Sequence, residues 1–223
     1  MPYVSEWHAK VLEALWVILF ILIVISFGLA GHLVATVRRN NELGQATARL
    51  HQEACNQRDL LISAIGLYKH ELGFYPPDHV ITESPLVVDS TTNALLYELA
   101  GTVYDGTDDT FASPHMCPVH SKVLKELFGV DSIRNSIEAP QGTARCFLDV
   151  TNMMVVASVC RISDPVGLLG VWPNWDGMPA EIHEHFSVSP WHYTSRGAVH
   201  NPGSFDLWVE VKTPQTNILI CNW

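Results

Sequence analysis

The chain has 223 residues, of which 48% are hydrophobic and 16% charged, and its formal net charge at pH 7 is −10. It contains no run of basic residues, so the composition argues against nucleic acid as a partner. No G-x-G-x-x-G or Walker pattern occurs, so we expect no nucleotide site.

Residues 14–37 are the most distinctive stretch, because they contain no Asp, Glu, Lys or Arg. About 20 apolar residues are enough for a helix to cross the hydrocarbon core of a bilayer, where a helix satisfies its own backbone polar groups. We therefore predict a short N-terminal segment over 1–13 and a transmembrane helix over 14–37. The stretch is longer than the apolar part of a secretory signal and no A-x-A site follows it, which predicts a retained anchor.

The helical pattern continues beyond the apolar stretch, which predicts an amphipathic stem helix over 38–72. Apolar residues recur there at spacings of three, four or seven: Leu43, Ala46, Leu50, Ala54, Leu61, Ile65, Tyr68 and Leu72. No proline interrupts this pattern until Pro76, so the two segments are expected to form one helix over about 6–72. Gly73 suits the position just after the helix end.

The remaining residues, 73–223, have the texture of a globular α+β domain in which short apolar runs alternate with turn residues. We predict helices over 90–100 and 121–129, loops over 103–114 and 164–181, and strands over 142–150, 152–162, 189–194, 204–212 and 217–221. The five cysteines leave at least one unpaired, and they form no CxxC pair. Outside the cytoplasm, one or two disulfides among Cys117, Cys146, Cys160 and Cys221 are expected, with the connectivity open.

Three motifs carry a resemblance to a known family. Residues 11–15 (VLEAL) place a glutamate just before the apolar helix, residues 60–77 end in G-x-Y-P-P, and residues 191–197 (WHYTSRG) precede 201–208 (NPGSFDLW). Together they resemble the type IV pilins and the pseudopilins of type II secretion. In that family the two late motifs pair as a hairpin, and Glu13 is the fifth residue when Ala9 is counted as the first mature one.

The resemblance implies a pseudopilin-like fold: a long N-terminal transmembrane-plus-stem helix, then a small antiparallel β-sheet domain with short helices. It also implies the bacterial inner membrane, a periplasmic C-terminal domain, and the bilayer and other subunits as partners. Flanking charge alone, with Lys10 before the span and Arg38 and Arg39 after it, puts the C-terminal side inside or leaves the orientation open. The 209–217 segment lacks the oxygen ligands of the family's calcium loop.

The residue before Ala9 is His8, where the family's peptidase requires glycine or alanine. We therefore expect an uncleaved, non-catalytic accessory subunit of a larger envelope complex. The alternative is a processed subunit of a pilus or pseudopilus.

His32 is the one ionisable residue inside the apolar stretch, which makes it a candidate functional residue. Gly28 lies one turn earlier on the same face and Gly31 is adjacent, so a flat macrocycle would have room beside the imidazole. Chlorophyll or haem bound by His32, in a photosynthetic or redox complex, is the alternative to a histidine near the headgroups or bonded to another helix. We expect no cofactor, and Gly28 and Gly31 to lie where a partner helix approaches.

Several other residues could have a role at an interface, a metal site or an active site. Glu13 at the membrane edge and Trp172 and Trp175 in a loop-like segment are candidate interface residues. Histidines and a cysteine in 115–120 (HMCPVH) and 183–185 (HEH) match no standard zinc spacing, so we expect no metal. The Asp-rich 105–109 turn is expected to be solvated, and Ser195 lacks a nucleophile context, so we expect no enzyme activity.

Overall fold

The computed structural model describes residues 3–78, 94–113, 116–139, 142, 144–150, 155–158, 166–171, 189–214 and 216–223. The chain divides into two compact units, Met1–Ala46 and Thr47–Trp223. The first unit is helical, and the second combines helices with small β-sheets. The predicted α+β class is therefore confirmed in its coarse form.

Helix α1 runs without interruption over Tyr3–Leu72, which confirms the prediction of one long helix. It ends at Gly73, which has a φ of 85° and donates its backbone N–H to the carbonyl of Lys69 at 2.8 Å. A glycine adopts this left-handed conformation without the strain that a Cβ would cause. The tandem prolines that follow cannot continue the helix.

In the globular unit, residues 47–72 of α1 bury one face. The buried apolar residues on that face are Leu50, Ala54, Leu61, Ala64, Ile65 and Tyr68. Their spacing is that of an amphipathic helix packed on a core, as the stem pattern predicted.

A four-stranded sheet with the order β3-β2-β1-β4 forms the middle of the globular unit. Its strands are β1 (Thr102–Asp105), β2 (Thr110–Ser113), β3 (Met116–His120) and β4 (Ser136–Glu138), with α2 (Leu95–Ala100) before them and α3 (Ser121–Phe128) between β3 and β4. The β1–β4 pair is parallel and the other two pairs are antiparallel.

The predicted helix over 121–129 is confirmed, and Gly129 ends it in the left-handed region with a φ of 66°. The predicted loop over 103–114 is wrong, since Val103 pairs with Ala112 and Tyr104 with Phe111 in a β1–β2 hairpin. Phe111 is buried with residues of α2 and α3 in one apolar cluster. Burial of Phe111 stabilises the hairpin. The polar residues of the turn between the two strands give the segment the composition of a loop, so the sequence did not indicate the hairpin.

The other strands of the described residues form two three-stranded antiparallel sheets. One has the order β5-β6-β7, with β5 (Val155–Ser158), β6 (Val166–Val171) and β7 (Ser189–Pro190). The other has the order β10-β9-β8, with β8 (His192–Thr194), β9 (Asp206–Lys212) and β10 (Asn217–Cys221). The predicted strand over 217–221 matches β10, and those over 189–194 and 204–212 contain β7, β8 and β9.

Two other sequence predictions are corrected. Strand β6 lies inside the predicted 164–181 loop, because its residues pair with β5 despite the neighbouring prolines and glycines. The predicted strand over 142–150 is not one in the residues described there. Phe147 and Leu148 instead both donate their N–H groups to the carbonyl of Leu99, at 2.8 and 3.1 Å, so the end of α2 takes bonds that a sheet would have used.

The thiols of Cys55, Cys146 and Cys221 are free. A Cys146–Cys221 disulfide, one of the pairings left open by the sequence, is therefore not formed. The side chain of Cys117 and the whole of Cys160 lie outside the described residues.

Candidate functional site

The apolar stretch of α1 exposes its side chains all around. Between Lys10 and Leu72, the most apolar window of 18 residues has a mean hydropathy of 2.7 and none of it is buried. Even aromatic side chains are open, with Phe27 at 76% exposure. A helix this long and apolar is consistent with a single-pass membrane anchor.

The structure brings together Gly28, Gly31 and His32, which lie within one helical turn of each other. Apart from the adjacent residues and the backbone of the helix itself, no described atom lies within 4 Å of the position where a Cβ would stand on Gly28 or Gly31. The Thr36 hydroxyl donates to the carbonyl of His32 at 2.9 Å and lies 3.2 Å from its Nδ1. His32 therefore already has a polar neighbour on its own helix, and its role as a chlorophyll or haem ligand stays a prediction.

Glu13 is exposed on the same helix but apart from this group. Fifteen residues separate it from Gly28, which corresponds to about 22 Å along a helix axis. Its role at an interface stays a prediction.

Trp172 and Trp175 lie outside the described residues, as do His115, His183 and His185. Within the described residues, no group of three or more His, Cys, Asp or Glu side chains is placed to hold a metal ion.

The Asp-rich turn after β1 has its own internal bonds. Asp109 accepts hydrogen bonds from the hydroxyls of Tyr104, at 2.8 Å, and Ser121, and Asp105 accepts one from the N–H of Thr107 at 2.8 Å. The hydrogen bonds from Ser121 and Tyr104 lower the pKa of Asp109. Asp109 also lines an open surface cleft of about 390 Å³. These bonds give its carboxylate a structural role in the turn.

The segment after α1 is tied to the end of β8 by the carboxylate of Asp78, which is 4% exposed. It accepts hydrogen bonds from the backbone N–H groups of Ser195 and Arg196, at 2.7 and 2.9 Å. The hydroxyls of Thr194 and Ser195 donate to it at 2.7 and 2.9 Å. Burial alone would raise the pKa of Asp78, but these donors hold it below its usual value.

Aromatic residues also contribute to the contact between the segment after α1 and the end of β8, which we call the junction. The Tyr193 hydroxyl donates to the carbonyl of Pro76 at 3.0 Å, and burial raises the pKa of Tyr193, so this donor stays protonated. The Tyr75 hydroxyl lies 3.1 Å from the hydroxyl of Ser204, and the Lys69 ammonium sits 3.9 Å above the Tyr75 ring. The G-x-Y-P-P motif is thus where α1 is fastened to β8 and to the turn before β9.

A second buried carboxylate, Asp206, organises the turn before β9. It accepts hydrogen bonds from the N–H groups of Val199, His200 and Asn201, at 2.7 to 3.0 Å. Burial would raise the pKa of Asp206, but these three donors lower it. The side chain of Asn222 reaches the same place, since its oxygen accepts the N–H of Leu207 at 2.9 Å.

A third buried carboxylate, Glu98 on α2, is only 1% exposed. The Tyr68 hydroxyl of α1 donates to it at 2.8 Å, and the N–H groups of Arg134 and Asn135 donate at 2.8 and 2.9 Å. Burial raises the pKa of Glu98, although these donors oppose the shift. Burial and the adjacent carboxylate also raise the pKa of Tyr68, which keeps its hydroxyl protonated.

Two further contacts link residues 47–72 of α1 to the sheet region. The indole N–H of Trp191 donates to the side-chain oxygen of Gln57 at 3.1 Å, and the guanidinium of Arg145 pairs with Glu71 at 2.6 Å. Together with the Tyr68–Glu98 bond, they hold residues 57–71 of the helix in the globular unit.

The three buried carboxylates were not singled out from the sequence. Acidic residues are common next to turns, and only Asp206, inside the N-P-G-S-F-D-L-W motif, belonged to a recognisable pattern. Each of them accepts hydrogen bonds from at least two backbone N–H groups, so they position the chain. We found no protein-family model, no curated protein and no solved structure that matches this chain.

Proposed function

We propose that the protein is a single-pass, membrane-anchored structural subunit of a larger bacterial envelope complex, with a pseudopilin-like globular unit on the periplasmic side. The observation that carries this proposal is the continuity of α1. One helix contains both a fully exposed apolar stretch and a stretch built into the core of the globular unit.

The exposed apolar stretch supports an anchor. Burying a large apolar side chain is worth about 1.5–3 kcal/mol relative to leaving it in water, and this stretch carries many such side chains. A bilayer covers them all at once. Gly28 and Gly31 leave one face with no Cβ, where the backbone of another subunit's helix can approach closely.

The junction supports the pseudopilin-like part of the proposal. The G-x-Y-P-P residues contact the strands that contain the two late motifs, and those strands pair antiparallel, with Tyr193 opposite Leu207 and Thr194 opposite Asp206. The G-x-Y-P-P motif and the two late motifs therefore lie together in space. A long stem helix that is fixed to its globular unit is typical of a structural subunit, which positions other proteins in a complex.

The side of the membrane can be tested with Cys146, whose thiol is free and exposed. In cells with a permeabilised outer membrane, a thiol reagent that cannot cross the inner membrane should label Cys146, as read by mass spectrometry of its peptide. A Cys146→Ser chain is the control for that signal. Labelling only after the inner membrane is broken would place the globular unit in the cytoplasm and overturn the proposed orientation.

The N-terminus of the mature protein distinguishes an uncleaved accessory subunit from a processed subunit of a pilus or pseudopilus. Because His8 precedes Ala9, we expect the mature protein to keep the residues before Ala9 and to lack a methylated amine. Intact-mass measurement of protein extracted from membranes checks this. A mature chain that starts at Ala9 would instead support a processed pilus or pseudopilus subunit, and a His8→Gly variant is the matched control for cleavage.

A further inference from the structure

Strand β10 is an edge of its sheet, and some of its backbone groups have no partner among the described residues. The N–H of Asn222 donates to the carbonyl of Leu207, and the N–H of Thr213 donates to the carbonyl of Thr216, both at 3.1 Å. In an antiparallel ladder, hydrogen-bonded pairs alternate with non-bonded ones. The register therefore leaves Asn217, Leu219 and Cys221 in non-bonded pairs with β9, with their backbone N–H and C=O groups directed outward.

Few described residues bond to the outward side of β10. The side chain of Leu219 is 57% exposed, and its N–H has no partner among the described residues. In the part of the chain that the structure describes, only the two ends of the strand have a hydrogen-bond partner on this side. The Arg58 guanidinium reaches the carbonyl of Cys221 at 3.4 Å, and the Thr216 hydroxyl reaches that of Asn217 at 3.3 Å.

This edge lacks the features that normally prevent strand pairing. Proteins protect edges with charged residues, prolines, bulges or very short strands. Strand β3 has Pro118 and a register shift opposite it, β4 has three residues and Glu138, β7 has two residues and Pro190, and β8 has three residues. Strand β5, the remaining edge of the described sheets, has no charge or proline and is protected only by its length of four residues. By contrast, β10 reads NILIC over five residues in regular register.

The strand is also complementary to itself. In an antiparallel pair of two β10 strands with the greatest overlap, Leu219 faces Leu219, Ile218 faces Ile220, and Asn217 faces Cys221. No like charges meet, and the outward groups of Asn217, Leu219 and Cys221 fall in hydrogen-bonded positions. The carbonyls of Asn217 and Cys221 would exchange their long bonds from Thr216 and Arg58 for bonds from the second copy. Such a two-fold pairing uses each edge once, so association stops at two copies.

We propose that the globular units of two copies of this chain pair through their β10 edges, forming one continuous six-stranded sheet. The occupant of the edge is a second copy because the strand's own sequence satisfies every position opposite it. The pairing does not depend on the membrane anchor or on the side of the membrane.

The test is a cross-linking series on the full chain in detergent micelles. In a hydrogen-bonded antiparallel pair the Cα atoms are about 5.5 Å apart, which is within disulfide range. An Asn217→Cys variant should therefore form a covalent dimer with Cys221 of the second copy under mild oxidation. Adding Cys221→Ser should remove that dimer, and a Val199→Cys variant, exposed in a loop, measures random collision.

Two substitutions of Leu219 then distinguish backbone pairing from other contacts. With the Asn217→Cys reporter present, Leu219→Pro removes the outward N–H without breaking a bond to β9, whereas Leu219→Thr keeps that N–H. We expect the proline variant to lower the dimer yield about tenfold and the threonine variant to keep most of it. Far-UV circular dichroism and an unchanged melting temperature confirm that both are folded.

Four results would overturn the pairing. Three are a Val199→Cys yield equal to that of Asn217→Cys, equal yields from the proline and threonine variants, and cross-linked species larger than dimers that still require Cys221. The fourth is an Asn217→Cys chain that gives no Cys221-dependent product, which excludes the second copy as occupant.

Discussion

An Asp78→Ala variant is expected to lose about 4 kcal/mol of unfolding free energy, because two hydrogen bonds from backbone N–H groups to its buried carboxylate are lost at once. Those groups belong to Ser195 and Arg196, and the freed hydroxyls of Thr194 and Ser195 can turn to other partners. Urea unfolding of the full chain in nonionic detergent, followed by tryptophan fluorescence, measures the loss. Trp191 reports on the same region through its bond to Gln57.

Asp78→Asn is the matched variant, since it keeps the shape but replaces one acceptor oxygen by an amide N–H donor. We expect it to lose about half as much stability as the alanine variant. The folded pKa of Asp78 lies below its ordinary value of 3.8, so its contribution is present above that value and is lost as the pH falls through the folded pKa. The acid limb of stability against pH should therefore be shallower in Asp78→Asn. An identical acid limb would contradict the assigned role.

A Glu98→Gln variant is expected to lose about 3 kcal/mol of unfolding free energy at pH 5, because no orientation of the amide suits its site. If the amide oxygen faces Asn135, the amide N–H₂ group faces the N–H donor of Arg134. If the amide is turned over, its N–H₂ group faces the N–H donor of Asn135 instead. Only the Tyr68 hydroxyl can rotate to accept. The same urea experiment measures the loss, with Glu138→Gln, on an exposed strand end, as the control.

The pH dependence of this variant has the opposite sign to that of Asp78. The folded pKa of Glu98 lies above the ordinary value of 4.5, so the folded state holds its proton longer than the unfolded state does. Its contribution to stability is complete below pH 4.5 and is lost as the pH rises through the folded pKa. Wild-type stability should therefore decline over that window, and Glu98→Gln should not show that part of the decline. A decline of equal size in both chains would count against the assignment.

Sequence periodicity predicted the elements that bury one regular face. Helix α1, helix α3 with Gly129 and strand β10 were all visible because their apolar spacing and terminal residues agree. The β1–β2 hairpin was missed because its strands have four residues each, and Asp108 and Asp109 gave the whole segment the composition of a loop. Residues 144–150 were misassigned because their apolar residues bind the end of α2 instead of a neighbouring strand.

The junction could be predicted only in part. The G-x-Y-P-P and late motifs identified the segments that meet, but hydropathy treats Asp78, Glu98 and Asp206 as surface residues. Their burial depends on backbone N–H groups contributed by distant turns, such as those of Ser195 and Arg196 for Asp78. Such three-dimensional pairing has no local signal in a single sequence.

The contacts of Gln57, Tyr68 and Glu71 have a mechanical consequence. They span about 21 Å of the helix, at about 1.5 Å per residue, and each bonds to a different partner: Trp191, Glu98 and Arg145. A pull along the helix axis therefore loads them side by side in shear, instead of opening them one after another as peeling would. Residues 47–72 of α1 should consequently resist extraction from the globular unit under tension far better than one such bond would allow.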